Sequence, residues 1–333
     1  PPIGVLLRAL PTFGRLAWLE LRAPRLVREL DAENARTIAQ LSALLARLDA
    51  TEDRDIWRQL SSWRERGPRH MVVILVHGSV VMLEEQLRKA LTAAGADYNR
   101  FVYAQLAAGE PSVSTRQAFD LVDLAAGARD EAPVAQYFRE AVNGFTDYRP
   151  RLAGTRFLAA FDRFLDRYGH RGLYESEWAL PRYREDPTPL LFALRTHVLN
   201  PPGESRQQRV ARLEQEAADA WVELDGRLTA TQRLTLRPRI RLLVERLKRR
   251  YIGREHCRSE LVKVLYYGRQ LHLELAERFV HRGWLDQRDD YFMLLTREVD
   301  AVIRGNADPA QLRAIVAARV AEHGVEPYAI GGE

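Results

Sequence analysis

The chain has 333 residues with 46% hydrophobic and 29% charged residues, which is the composition of a globular protein and not of a disordered one. Its most apolar run, Met71–Val76, is far shorter than the roughly 20 residues that span a bilayer, so we expect no membrane segment. A single cysteine, Cys257, excludes an internal disulfide framework, and without a signal-peptide pattern it predicts a cytoplasmic protein.

Apolar residues at helical spacing run through almost the whole chain and predict an all-α fold, a multi-helix domain with no significant sheet. The predicted helices, in chain order, cover 5–48 with breaks at Pro11 and Pro24, then 56–63, 71–87, 121–126, 133–142, 157–165, 187–199, 205–228, 240–247, 261–279 and 309–320. Met71–Val76 has the composition of a buried strand, but its pattern continues with helical spacing to Leu87, and a lone strand would have no partner.

A loop is predicted over 144–154, and Asp308–Pro309 is typical of an N-cap and first helical turn. We therefore expect a single helical domain over 1–333, for which a division into lobes 1–150 and 151–333 stays open.

The net charge of +5 is concentrated between Arg233 and Arg258, where ten Arg or Lys residues stand against two Glu residues. Such an excess favours a negatively charged partner, namely nucleic acid, a membrane surface or a phosphorylated ligand. The simpler interpretation is a solvated helix face whose arginine stems cover apolar surface. Few aromatic residues occur in the run, which argues against base stacking, and we do not expect a nucleic-acid partner. We do not expect a membrane partner either.

The segment Phe164–Pro187 has a composition that core packing does not require: two Gly, two Pro, one His, four Arg and five acidic residues. Gly and Pro constrain the backbone, and buried charges of opposite sign need partners. The segment is therefore either a polar structural knot that fixes a loop or the wall of a site that receives a phosphate or a hydroxyl group.

A second charged motif, Arg254-Glu255-His256-Cys257-Arg258, places Arg254 and Arg258 on one face of a helix. Two guanidinium groups so placed can hold phosphate oxygens or stabilise a phosphoryl group in transfer; the alternative is a pair of ordinary surface arginines. The neighbouring cations can lower the pKa of the Cys257 thiol, although a structural role is the simpler interpretation. The sequence has no metal-ligand spacing, glycine-rich phosphate loop or nucleophile elbow, so we expect no metal site.

Together and in this order, these segments resemble the middle, helical domain of the dikinase-like phosphotransferases, which include rifampin phosphotransferases and phosphoenolpyruvate synthase-like proteins. The resemblance rests on Tyr168–Gly172 with Pro181–Pro187, on Arg254-Glu255-x-x-Arg258, on Arg278–Gly283 with Asp289–Leu294, and on the lead-in Leu106–Leu124 with its Val113 and Ser114. It covers most of the chain.

The resemblance implies an ATP-dependent reaction in which the β-phosphoryl group of ATP reaches a histidine on a small swivelling domain and then an acceptor hydroxyl or enolate. ATP and Mg would bind a separate domain, so this chain is expected to bind no cofactor, to be a segment of a longer enzyme and to be inactive alone. Its partners would be those ATP-binding and phosphohistidine domains and a small-molecule acceptor of apolar character. The alternative is a non-catalytic helical module that binds a ligand or a protein.

By position, the resemblance makes Arg254 and Arg258 the catalytic pair that faces the phosphohistidine. The residues that it implies for acceptor binding are His170, Arg171, Glu175 and Lys263. Those that it implies as structural support for the site are Arg182, Glu185 and Glu255. Two departures from the family's pattern imply a different acceptor or lost phosphotransfer. Leu261 stands where a third Arg is frequent, and Tyr174–Trp178 is an aromatic-flanked variant of a more aliphatic stretch. We expect residues 168–187 and 254–258 to meet.

Overall fold

The computed structural model describes residues 25, 27–62, 80–142 and 144–323, and within these ranges it contains helices, turns and loops but no β-strand. The predicted all-α class is confirmed. The helix predicted over 71–87 is described only from Val80, and its first part, like the segment 5–24, lies outside the described residues. Within the described ranges, no helix is both long and apolar enough to cross a bilayer.

The α-helices, in chain order, are α1 (27–45), α2 (53–62), α3 (Val80–Ala93), α4 (Tyr98–Ala107), α5 (Val113–Arg129), α6 (Ala132–Glu140), α7 (Tyr148–Arg151), α8 (Arg156–Tyr168), α9 (Thr188–Leu199), α10 (Arg206–Arg227), α11 (Ala230–His281), α12 (Thr296–Ile303) and α13 (Pro309–His323). Two short 3-10 helices cover Leu48–Ala50 and Arg288–Met293.

The chain forms two compact units that alternate along the sequence. Of the described residues, unit 1 contains 80–171 and 182–260 with the start of α1 up to Asp31, and unit 2 contains 32–62, 172–181 and 261–323. The possible boundary between lobes 1–150 and 151–333, which the sequence neither required nor excluded, lies within unit 1.

One core of unit 1 is built by α5, α6, α8 and α9 and is rich in phenylalanine. Phe157, Phe161 and Phe164 recur at helical spacing along α8, and all three are buried. The rings of Phe157 and Phe161 stack with centroids 5.9 Å apart, and Phe138 of α6 meets Phe157 edge-on at 5.4 Å. Burying each such side chain stabilises the fold by roughly 2–3 kcal/mol. These contacts fix the position of α8. The segment Phe164–Pro187 starts in the last turn of this helix.

The second core of unit 1 is built by α3, α4, α10 and the first part of α11. On α11, Ile240, Leu243, Val244 and Leu247 are all buried, whereas most arginines between them are exposed. The basic run therefore has an apolar stripe that packs into the protein, so its cations belong to an amphipathic helix.

The helix α11 begins earlier than the apolar periodicity predicts and is longer. Its start at Ala230 follows a reciprocal cap, in which Gln232 N donates to Thr229 Oγ1 at 3.3 Å and Thr229 N donates to Gln232 Oε1 at 3.0 Å. The separate helices predicted over 240–247 and 261–279 are one continuous helix that ends at His281, near Gly283 as predicted. Gly283 has a φ of 73°, which glycine adopts without strain.

The core of unit 2 joins α1 and α2 to the last part of α11, α12 and α13. His272 lies in this core, where its Nδ1 is 2.9 Å from Tyr291 Oη and its ring meets Trp57 and Trp178 edge-on. Burial, reinforced by the charge of Arg269, lowers the pKa of His272 to about 4. This histidine is a neutral packing residue at neutral pH.

The structure tests two local predictions, the N-cap at Asp308 and the loop over 144–154. The predicted N-cap at Asp308 is confirmed, since its Oδ1 accepts a hydrogen bond from Ala310 N at 2.9 Å before α13. The loop predicted over 144–154 contains the single-turn helix α7, which is too short to show an apolar periodicity.

Candidate functional site

The segment that follows α8 is held by backbone pairing within unit 1. Tyr183 N donates to Arg171 O at 2.8 Å, and Arg184 N donates to Gly169 O at 2.9 Å. A Cβ atom at Gly169 would lie 3.0 Å from Arg184 Cβ and 2.3 Å from Leu165 O, so only glycine permits this close approach. The two ends of the segment are therefore tied together beside the end of α8.

Three polar residues spaced three apart on α5 face this segment. Ser114 Oγ accepts a hydrogen bond from Arg171 Nη2 at 3.2 Å, and Gln117 Oε1 accepts one from Arg171 Nη1 at 2.7 Å. Asp120 Oδ2 accepts a hydrogen bond from Tyr168 Oη at 2.8 Å. Because residues at i and i+3 share a helix face, α5 holds both the last residue of α8 and the guanidinium group of Arg171.

The same serine contacts the charged motif of α11. Ser114 Oγ donates to Glu255 Oε2 at 3.1 Å, and Glu255 Oε1 accepts a hydrogen bond from Arg254 Nη2 at 3.1 Å. The side chain of Glu255 is 18% exposed, whereas that of Arg254 is 44% exposed. A chain of polar contacts thus runs from Arg171 through Ser114 and Glu255 to Arg254, and we call these four residues the polar cluster.

One turn before the cluster on α11, Tyr251 supports Arg254. The guanidinium carbon of Arg254 lies 5.6 Å from the centroid of the Tyr251 ring, and Tyr251 Oη donates to Glu84 Oε1 of α3 at 2.7 Å. Burial and this hydrogen bond raise the pKa of Tyr251 to about 12, so its hydroxyl stays protonated at neutral pH. The tyrosine fixes the position of Arg254, which keeps access to solvent.

Arg254 and Arg258 occupy one face of α11, as their spacing predicts, and Arg258 is exposed. Two cationic groups on one face, beside a hydroxyl and a carboxylate, can bind the oxygens of a phosphoryl group and orient an acceptor hydroxyl. This arrangement is suited to phosphoryl transfer by charge stabilisation.

The other residues that the resemblance assigns to the site are mostly buried. His170 and Arg182 of unit 1 are 8% and 1% exposed, and Glu185 N donates to Arg182 O at 2.8 Å in a tight turn. Glu175 and Lys263 belong to unit 2, where Glu175 is buried and Lys263 is half-buried. Their roles in binding or support stay predictions.

Cys257 lies close to Arg254 and Glu255 in sequence, but it is a buried, apolar packing residue. Its side chain is 1% exposed and packs with Leu30 of α1. Burial, together with the charges of Asp31 and Glu260, raises the pKa of the thiol to about 11. The thiol is therefore a packing group, in agreement with the simpler interpretation of the sequence.

The motif Arg278–Gly283 has a structural explanation in unit 2. Arg278 Nη2 donates to Leu48 O at 2.6 Å, and its Nη1 donates to Thr51 O at 2.6 Å and to Asp53 Oδ1 at 2.9 Å. Arg282 also pairs with Asp53. These arginines hold the turn between α1 and α2 against the end of α11.

Sequence reasoning did not assign roles to Gln117, Tyr251 and Glu84, and it noted Ser114 only as part of a lead-in. The available signal was the three-residue spacing of Ser114, Gln117 and Asp120, which places three polar side chains on one face of a helix. Among the residues that the structure describes, no group of three or more His, Cys, Asp or Glu side chains is placed to hold a metal ion.

Comparison with known proteins connects this geometry to a family. The sequence model described as "Rifampicin phosphotransferase fourth domain" matches residues 69–255, a range that contains all four residues of the polar cluster. Similar proteins are the rifampicin phosphotransferases of Streptomyces sviceus, 27% identical over 206 residues, and of a Streptomyces species, 28% identical over 207 residues. Each alignment covers 58% of this chain and 23% of the relative, so the chain matches under a quarter of each relative's length. The chain belongs to the rifampicin phosphotransferase fourth-domain family.

Proposed function

We propose that this chain is the acceptor-binding part of an ATP-dependent phosphotransferase, in which a phosphohistidine on a separate domain phosphorylates a hydroxyl group of a small molecule. The observation that carries the proposal is the polar cluster. Ser114 joins Arg171, from the segment after α8, to Glu255 in the Arg-Glu-x-x-Arg motif of α11. Both segments are the ones on which the family resemblance rests.

In the proposed reaction, the residues of the polar cluster and Arg258 have distinct parts. Arg254 and Arg258 neutralise the charge that develops on the transferring phosphoryl group, which is the main protein contribution to this class of reaction. Arg171 binds the acceptor, and Ser114 and Glu255 fix the guanidinium groups on either side. ATP and Mg bind elsewhere in the complete enzyme, and this chain alone does not complete the reaction.

The acceptor-binding role is tested by titrating the chain with rifampicin, for which the relatives are named, in an isothermal titration calorimeter. We expect saturable binding to the wild-type chain and roughly tenfold weaker binding to Arg171→Met, since a charge-assisted hydrogen bond is lost. The matched control is Arg116→Met, because Arg116 lies on α5 but its guanidinium group bonds the preceding loop, at Pro111 O and Glu110. Absence of binding, or equal loss in both variants, would contradict the proposal.

A further inference from the structure

A cleft in unit 1, distinct from the polar cluster, is lined by α4, α10 and α11 and has a volume of about 460 Å³. Clefts of this size hold small organic ligands. Its wall on α11 includes Arg237, Arg241, Val244 and Lys248, which recur at helical spacing on one face. Lys248 lies seven residues before Glu255, about 10 Å along the helix axis.

The aromatic wall of the cleft is fixed in place. Trp221 Nε1 donates to Gln105 Oε1 at 3.0 Å, and Gln105 Nε2 in turn donates to Ala217 O at 2.7 Å. Phe101 meets the Trp221 ring edge-on, with centroids 5.0 Å apart. A ring held by a buried amide and a packed neighbour loses little freedom on binding, which favours a ligand with a flat apolar body.

Two of the three cations in the cleft are already paired. Arg237 makes two hydrogen bonds to Asp225, at 2.6 Å to Oδ1 and 3.0 Å to Oδ2, and Arg241 Nε lies 3.4 Å from Glu245 Oε1. Among the described residues, no carboxylate lies within ion-pair distance of Lys248, which is half-buried. Burial lowers the pKa of its ammonium group, and the charge of Glu245 only partly offsets this effect.

A half-buried ammonium group without an ion-pair partner is stabilised by an anion that enters the cleft. We propose that this cleft binds a small ligand that combines one anionic group, a carboxylate, sulfonate or phosphate, with a flat apolar body. The anionic group contacts Lys248 Nζ, and the apolar body packs between Trp221 and Val244. This site is independent of the proposed phosphotransfer and uses none of its residues.

The probe for this site is 8-anilino-1-naphthalenesulfonate, a flat aromatic monoanion whose fluorescence rises on binding. We expect saturable binding with one site per chain and at least tenfold weaker binding to Lys248→Met. The uncharged analogue N-phenyl-1-naphthylamine should bind the wild-type chain and Lys248→Met equally, because it makes no use of the ammonium group. Circular dichroism confirms that the variants are folded.

Two further variants locate the site. Arg239→Met, on the exposed face of the same helix, should bind both probes like the wild type. Ala218→Trp, which fills the cleft from an exposed position on α10, should abolish binding of both probes. The proposal is overturned if Lys248→Met binds the sulfonate as tightly as the wild type, or if Ala218→Trp leaves binding of both probes unchanged.

Discussion

Arg278 should be among the most important polar residues for the stability of unit 2. Its side chain is 18% exposed, and its guanidinium group donates to two backbone carbonyls, to Asp53 and, at 2.7 Å, to Glu274. Arg278→Met leaves the two carbonyls and Glu274 without this donor and Asp53 with Arg282 alone, and removing one partner of a largely buried pair costs about 3 kcal/mol. Arg282→Met is the matched control, since Arg282 also pairs with Asp53 but is 44% exposed, which predicts a loss of about 0.5 kcal/mol.

The assay for both variants is urea unfolding, followed by far-UV circular dichroism and by tryptophan fluorescence. We expect Arg278→Met to lower the free energy of unfolding several times more than Arg282→Met. Equal losses in the two variants would show that neither the burial of Arg278 nor its larger number of acceptors contributes to stability.

The same ion pair predicts a dependence of stability on pH. Burial alone would raise the pKa of Asp53, but hydrogen bonds from Arg282 and Arg278 outweigh it and hold that pKa below its ordinary value. A carboxyl group with a lowered folded-state pKa contributes stability above about pH 4 and loses it as the pH falls through the folded pKa. Acid titration of urea unfolding should therefore show a shallower loss of stability below pH 4 in Asp53→Asn.

Three further outcomes are expected. Gly169→Ala should lower the free energy of unfolding by about 1–3 kcal/mol, because the added methyl group would push against Leu165 O and Arg184 Cβ. The control Gly226→Ala has open space around it and should be neutral or slightly stabilising. Equal effects of the two variants in urea unfolding would contradict this. The Cys257 thiol should react slowly with Ellman's reagent at pH 8 in the folded chain and rapidly in urea, and fast native reaction would contradict its burial. Tyr251→Phe should lower the free energy of unfolding by about 1 kcal/mol through loss of the Glu84 hydrogen bond, and an unchanged urea midpoint would contradict this.

The apolar periodicity did not reveal α4, α7, α12 or the first part of α5, since the first three are at most ten residues long and α5 buries only Ala125 and Ala128. Most other helices could be predicted from the sequence because they bury an apolar stripe with a clear period. The start of α11 could not, because residues 230–239 carry only scattered apolar side chains and contain Pro238, which is normally a helix breaker. The reciprocal hydrogen bonds of Thr229 and Gln232 stabilise the start instead.

The arginine motifs could also be found from the sequence, but their partners could not. Arg254 and Arg258 are visible as a pair at i and i+4, whereas the hydroxyl that joins Arg171 to Glu255 belongs to a serine more than fifty residues away in sequence from Arg171. Tertiary contacts of this kind leave no local pattern. The sequence could likewise not distinguish the structural arginine Arg278 from a functional one, since both stand in dense charged segments.

Phosphate transfer can be followed in a chimeric enzyme. The matched segment of the Streptomyces sviceus rifampicin phosphotransferase is replaced by this chain, and the chimera receives ATP labelled with ³²P at the β-phosphoryl group. We expect the label to reach the histidine and then rifampicin. The double variant Arg254→Met with Arg258→Met should stop delivery to rifampicin while the histidine is still labelled. A wild-type chimera that labels its histidine but binds rifampicin without transfer would contradict the account and favour a non-catalytic binding module.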